Sequence, residues 1–237
     1  MTTTEFSNEF DVLYNSITSN QAPGLDDYEK SVFLTKAQLE VLTQYFNTKV
    51  DNTGGGFDGS QVRQYDFSKI INTEVLTVFT NPDIIKIDDR SRCYKFPDNY
   101  YLSVNETIVD SKKQYTVIPI SYTEYQRLRV KPYAYPPKRI AWRLFNSSDG
   151  EMPVAEIIGK FEGDITYKLR YIRKPNPIIL SALEDGLTIE GEKVKTECEL
   201  PSQLHPTILE LAVSYAKITY LNGSTSTLAS QNNNNAQ

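Results

Sequence analysis

Apolar residues recur at helical spacing near both ends of the chain and at alternating spacing in the middle. In SNEFDVLYNSITSN, Phe10, Leu13, Tyr14 and Ile17 fall at i, i+3, i+4 and i+7, one face of a helix. Ser7 stands where a cap belongs, and Ala22-Pro23-Gly24 supplies the stop. A second short helix is expected over 25–33. A third begins in LTKAQLEVLTQYF, where Thr35 and Gln38 form a capping-box pair and Leu34 with Leu39 the hydrophobic staple. Leu39, Leu42 and Phe46 continue its buried stripe.

DNTGGGFDGS, residues 51–60, holds four of the chain's 11 glycines and reads as a loop or hinge. Beyond it the period becomes two. Ile140, Trp142 and Leu144 alternate with Arg139, Ala141 and Arg143, while Ile165, Tyr167, Leu169 and Tyr171 alternate with Thr166, Lys168 and Arg170. Both patterns predict half-buried strands of an antiparallel sheet. VLTVFT and IIKID are weaker strand patterns, FPDNYYLSV is a turn feeding a strand, and residues 62–71 fit either helix or strand. Near the end, Pro206 occupies a first-turn position, and Ile208, Leu211, Ala212 and Tyr215 share one helical face. Asn222-Gly223 marks the stop, and residues 224–237 have nothing to bury and are expected to be a flexible tail.

The fold class expected is therefore α+β. A helical bundle is formed by the terminal segments, 1–50 and 203–223. A mainly β domain with proline-rich straps, 61–202, is inserted through the 51–60 loop.

Composition narrows the function. Of 237 residues, 39% are hydrophobic and 23% charged, ordinary for a folded protein large enough to bury a core. The 16 tyrosines, against one tryptophan and one histidine, suit surfaces that contact partners while remaining hydrated. A net charge of −5 argues against a general nucleic-acid binder. Cys93 and Cys198 are too far apart for metal-ligand spacing and read as free thiols of a reducing compartment. No signal-peptide pattern opens the chain and no apolar run reaches membrane-span length, so a soluble protein made in cytoplasm is expected.

Candidate chemistry is sparse. His205 precedes Pro206, where helix capping accounts for it. Asp88-Asp89 and Glu184-Asp185 are adjacent carboxylates that a strand would point to opposite faces. GGGFDG lacks the Lys-Ser/Thr of a phosphate-binding loop. No catalytic residue, metal site or cofactor is expected.

The basic stretch is more informative. From Arg127 to Arg143 there are six cations, Arg127, Arg129, Lys131, Lys138, Arg139 and Arg143, with no acidic residue and with Tyr133, Tyr135 and Trp142 interleaved. Cations with aromatics can grip single-stranded nucleic acid. However, Pro132, Pro136 and Pro137 make the middle an extended strap. The first 50 residues hold seven Asp or Glu against three Lys, so acidic surface exists to receive such a strap from a neighbouring subunit. Subunit contact, plain solvated surface and nucleic-acid contact are the three readings.

EFDVLYNSITSNQAPGLDDYEKSVFLTKAQ, PYAYPPKRIAWRLF, LRYIRKPNPIIL and ELPSQLHPTILELAVSYAKITYL together resemble the ring, or head-to-tail adaptor, structural proteins of crAss-like and related tailed bacteriophages. The wider likeness is to the tail tubular A proteins of short-tailed phages. The resemblance implies a non-enzymatic virion protein assembled in the bacterial host cytoplasm. It would form a ring, commonly of twelve copies, below the portal and around the DNA exit channel. Its partners would be further copies of itself, the portal protein and neighbouring tail or ring proteins, with DNA only passing through and no membrane. On that reading RYIRKPNPIIL, with Arg173, Lys174, Pro175 and Pro177, is a second strap that reaches a neighbour, since its prolines reduce the freedom lost on docking. An ordinary crossover loop is the alternative. The rival functions are a carbohydrate- or receptor-binding β module, with Tyr100, Tyr101, Tyr133 and Tyr135 as stacking platforms, and a channel DNA-binding factor.

Overall fold

The computed structural model describes residues 1–15, 24–47, 65, 67–80, 86–111, 113–131, 136–146 and 154–234, without side chains at 47 and beyond 220. Expectations for Ile17, Ala22-Pro23, the 51–60 loop, Pro132, Tyr133 and Tyr135 lie outside these residues. The chain divides into two compact units, Met1–Lys69 with Pro175–Gln237, and Ile70–Lys174. Residues 175–202, assigned from sequence to the β domain, thus fall in the unit that contains both termini. The class is mixed α+β.

The first unit contains α1 (Thr3–Asn15) and α2 (Asp27–Asn47). Helix α1 is capped five residues earlier than expected, at Thr2 and not Ser7. Thr2 and Glu5 cap it reciprocally, Glu5 N donating to Thr2 Oγ1 at 3.3 Å and Thr2 N to Glu5 Oε2 at 2.7 Å. Ser7 is not a cap; it lies inside the helix, where Lys30 Nζ donates to its hydroxyl at 3.2 Å. Phe6, Phe10 and Tyr14 form the buried stripe.

Helix α2 is one helix rather than two. Asp26 and Glu29 supply its capping box, and no glycine or proline between 27 and 47 interrupts propagation. Thr35 and Gln38, expected at a helix start, stand in its middle. Leu34, Ala37, Val41 and Leu42 are buried.

The C-terminal helix follows a 3-10 turn, Ser202–Leu204, and runs His205–Asn234. Its buried face is Ile208, Leu209, Ala212, Val213 and Ala216, with Leu211 and Tyr215 flanking it. It does not stop at Asn222-Gly223. One interior glycine costs roughly 1 kcal/mol, too little to end a propagating helix that is not forced to turn. Lys217 Nζ donates to the Leu13 carbonyl at 3.1 Å, and the Tyr220 hydroxyl to Glu29 at 2.6 Å. His205 is a structural residue, bonded to the Leu200 carbonyl at 2.8 Å through Nε2 and to the Met1 amine at 2.7 Å through Nδ1.

The second unit is a seven-stranded sheet: β1 (Ile71–Leu76), β2 (Arg92–Lys95), β3 (Tyr100–Asp110), β4 (Lys113–Pro119), β5 (Ile140–Asn146), β6 (Val154–Ile158) and β7 (Ile165–Arg173). Their order is β1-β7-β3-β4-β5-β6-β2. The sheet is not wholly antiparallel: β4 and β5 pair in parallel, joined by the crossover helix α3 (Tyr122–Arg129). After β1, Val78 bridges Tyr94 of β2, and Phe79 N donates to the Cys93 carbonyl at 2.8 Å. These contacts join the two edge strands and curl the sheet toward a closed barrel, leaving little open edge.

All seven strands supply the interior, among them Leu76, Tyr94, Ile108, Val117, Ala141, Ile157 and Leu169. Each such side chain, fully buried, contributes roughly 1.5–3 kcal/mol if as large as Leu, Ile or Val. The alternation in β7 holds as expected. Strand β5 is not half-buried: Ala141 faces the interior, while Trp142 and Leu144 pack with Ile158 and Tyr125 on the outside. Residues 86–88 form no strand. Among the described residues no helix is long and apolar enough to cross a membrane.

Candidate assembly surface

The segment Lys174-Pro-Asn-Pro-Ile-Ile-Leu180 docks within its own chain. Ser31, Thr35 and Gln38, at i, i+4 and i+7, lie along one face of α2. Leu180 N donates to Ser31 Oγ at 3.0 Å, Ile178 N to Thr35 Oγ1 at 3.1 Å, and Gln38 Nε2 to the Asn176 carbonyl at 2.9 Å. On the other side, Ile179 N donates to the Thr196 carbonyl at 3.2 Å and Asn176 N to Glu199 at 3.0 Å, while Thr196 Oγ1 bonds the Pro177 carbonyl. Every N–H from 176 to 180 has a partner, and the two positions with none to satisfy, 175 and 177, are the prolines. Pro175 and Pro177 are buried. Within one chain the segment is thus a docked connection and not a free arm. Lys174 is exposed and Arg173 half-buried at the end of β7, where Lys174 N donates to the Asn99 carbonyl at 2.8 Å.

The described parts of the basic stretch from 127 to 143 are a helix end, a turn and a strand, and its middle, Pro132 to Tyr135, lies outside the described residues. Ser121 caps α3 by accepting from Glu124 N at 3.1 Å, and Tyr125 is its buried anchor. Arg127 pairs loosely with Glu124 at 4.0 Å. Arg129 ends the helix and Lys131 follows it, both exposed. Lys138 and Arg139 form an exposed turn, Arg139 in the left-handed region at φ 66°.

Arg143 points inward. It is 4% exposed, and its Nε lies 2.9 Å from Glu106 Oε2, close enough for an ion pair although not aligned for a directed hydrogen bond. Its guanidinium sits 4.1 Å from the Phe145 ring centre, and Tyr167 donates to Glu106 at 2.7 Å. Burial, reinforced by the Glu106 charge, pushes the Tyr167 phenol far up. Unlike Arg129 and Lys131, Arg143 is therefore committed to the interior of its own chain.

A site that sequence reasoning missed lies outside the barrel. Glu156, central in the fully buried strand β6, accepts from Ile87 N at 2.8 Å, Asp88 N at 2.9 Å, Ser91 Oγ at 2.5 Å and Asn146 Nδ2 at 3.1 Å. This carboxylate pins the 86–91 loop. Asp88 then holds Arg90 through two oxygens and accepts from the Tyr125 hydroxyl at 3.0 Å. Burial pushes the Asp88 carboxyl up, but the bonds from Arg90 and Tyr125 outweigh it and leave the group below its ordinary value. Burial, then Asp88, raises Tyr125 to about 12.

The pinned loop forms one wall of a cleft of about 800 Å³. Its apolar surface is Tyr125, Trp142, Ile158, Gly159 and Phe161. A side chain at Gly159 would come within 2.4 Å of Phe161, so glycine lets that ring fold onto Tyr115. The charged lining is Arg90, Arg92, Arg129, Lys131 and Lys160 against Asp88 and Glu162. Asp88 is paired with Arg90 and Glu162 with Lys113 at 2.6 Å. Arg129 and Lys131, two expected interface residues, thus meet three cations from distant sequence. The only local signal for this site was a single carboxylate inside the apolar run VAEII. Among the described residues no group of three or more His, Cys, Asp or Glu could hold a metal ion.

Residues 1–228 match the family model described as phage tail ring protein 3/4. The chain is 43% identical over 223 residues to Ring protein 4/5 of Bacteroides phage crAss001, covering 93% of this chain and 94% of that one. It is 32% identical over 228 residues to Ring protein 3 of the same phage, covering 92% and 96%. Matched across both of its units, the chain belongs to the phage tail ring protein 3/4 family.

Proposed function

We propose that this chain is a non-enzymatic virion protein that closes, with further copies of itself, into a ring joining portal to tail around the DNA channel. The extent of the family match carries the reading: it runs through residues 1–228, so both units are shared with proteins named for rings. Twelve copies is the number the resemblance implies. The terminal helices act as one bundle, and the barrel unit presents the cations for subunit or portal contact: Arg127, Arg129, Lys131, Lys138 and Arg139, with Tyr133 and Tyr135 between them in the sequence, and Arg173 and Lys174 at the unit's end. Charge supports this division. The unit with both termini holds 17 Asp or Glu against eight Lys or Arg, a net −9, and the barrel unit 17 against 13 in the opposite sense, a net +4. A head-to-tail ring repeats one such heterologous contact at every boundary.

Native mass spectrometry of the protein alone and mixed with its portal tests the reading. A mass near twelve times the 27.0 kDa chain is expected in at least one condition. A monomer in both conditions overturns it.

A further inference from the structure

We propose that the cationic cleft of the barrel receives the acidic hairpin at residues 183–195 from a second copy of this chain. The proposal rests on the ring reading and names the contact that would close the ring.

The hairpin is built to project. Ile189 and Glu192 exchange both backbone bonds, each 3.0 Å, around Glu190 and Gly191 at φ 53° and 87°. Two successive positive φ values define the tight turn that matches strand twist. Leu183 N donates to the Lys193 carbonyl at 3.0 Å and Leu187 N to the Glu184 carbonyl at 3.1 Å, so the base is held as well. Four carboxylates, Glu184, Asp185, Glu190 and Glu192, are exposed on it against Lys193 and Lys195, and Asp185 pairs with Lys193 at 3.9 Å, so the excess of negative charge lies at Glu184 and at the Glu190–Glu192 tip. Two apolar side chains are also exposed, Leu187 at 37% and Val194 at 67%.

The cleft offers the complement. Five cations surround an apolar surface that includes Trp142 and Phe161; Arg90 is engaged by Asp88 and Arg92 donates to the Gly163 carbonyl at 2.8 Å, while Glu162 pairs with Lys113 from outside the cleft. Among the described residues Arg129 and Lys131 have no carboxylate partner on their side chains. A volume of about 800 Å³ suits a turn of a few residues rather than a whole strand. The opposite net charges of the two units favour the same pairing over long range. A rigid acidic tip with two apolar contacts fits such a cleft better than a phosphate backbone, which carries no apolar contacts to match the aromatic wall.

Charge reversal with rescue tests this on the full chain. Arg129→Glu with Lys131→Glu forms one variant, Glu190→Lys with Glu192→Lys the other, and Glu184→Lys with Asp185→Lys replaces the second if it fails to fold. In sedimentation velocity over a concentration series, each variant alone should self-associate at least about tenfold more weakly than wild type, since opposed like charges are strongly disfavoured. Mixing the two variants should restore association. If wild type assembles and the variants assemble equally well, or only the cleft variant fails, the hairpin is not the occupant and the ring reading stands. Retention of a single-stranded oligonucleotide by wild type, lost in Arg129→Glu with Lys131→Glu, would assign the cleft to nucleic acid and overturn the proposal. A wild type that never associates overturns it together with self-assembly in isolation.

Discussion

The two units bury polar groups in opposite ways. In the helical unit, neutral side chains on α2 (Ser31, Thr35 and Gln38) satisfy the backbone of an irregular segment, residues 176–180. In the barrel unit, charges do the corresponding work: Glu156 gathers four donors to pin the 86–91 loop, and Glu106 holds Arg143 inside the sheet. Both arrangements fix chain that forms no regular ladder. They differ in what breaking them leaves behind. A lost neutral hook strands one N–H, whereas a lost ion-pair member strands a buried charge.

The largest expected effect is therefore Arg143→Met. With Glu106 left 4% exposed and without its cation, stability should fall by about 3–5 kcal/mol in urea unfolding. Adding Glu106→Leu should recover most of the loss, because an apolar pair of similar volume removes the stranded charge. If the double variant is no more stable than the single one, the interior pair is not the reason.

Glu156→Ala should cost about 2–3 kcal/mol, since two loop N–H groups and the Ser91 hydroxyl lose a charged acceptor. Amide exchange should quicken at Ile87 and Asp88 before it changes elsewhere in the barrel. Unchanged protection there would mean that the loop is held by Asp88 and Tyr125 alone.

On the helical side, Thr35→Val keeps the shape but removes the acceptor of Ile178 N. It should cost about 1–2 kcal/mol, less than either charged change. A cost as large as that of Arg143→Met would erase the contrast between the units.

Smaller still is the response to pH at His205. Burial, and then the nearby N-terminal ammonium, hold its pKa below the ordinary 6.5, against the pull of the Leu200 carbonyl. The unfolded chain therefore binds a proton that the folded protein resists. Its contribution is full above about pH 6.5 and declines as pH falls toward the depressed value. His205→Gln should flatten the slope of stability against pH between about pH 7 and 5. The smallest effect belongs to the exposed pair: Arg129→Glu with Lys131→Glu should shift folding stability by no more than about 0.5 kcal/mol.

Much of the fold was legible because periodicity is a local property. The alternation of Ile165, Tyr167, Leu169 and Tyr171 marks β7 without reference to its partners, and the stripe of Phe10 and Tyr14 marks α1. Misreadings cluster where one signal serves two structures. Thr35 and Gln38 have capping-box spacing, and that same spacing makes them neighbours on a helix face able to hold a docked irregular segment. Asn222-Gly223 has the residues of a helix stop but no turn to make. Helix α3 was hidden by the prolines downstream of it, although Ser121 and Tyr125 carry its cap and anchor. The cleft was the least legible feature. Arg129 and Lys131 stood out as basic, but Arg90, Arg92 and Lys160 reach them only through the loop that Glu156 pins and the turn after β6.

By itself the sequence determined helices near the ends, strands between them, an excess of negative charge and the likeness to phage ring proteins. These follow from spacing and residue type, which need no partner. Only the tertiary structure decided that Arg143 is buried while Arg129 is exposed, and that Pro175 and Pro177 lie under their own helix. The reason is physical. A basic or proline-rich stretch satisfies local rules equally well when solvated, docked in its own chain or extended to a neighbour. Which state is lowest in free energy depends on whether distant residues, such as Glu106 for Arg143 and Thr35 for Ile178, supply the charge or hydrogen-bond partner that burial requires.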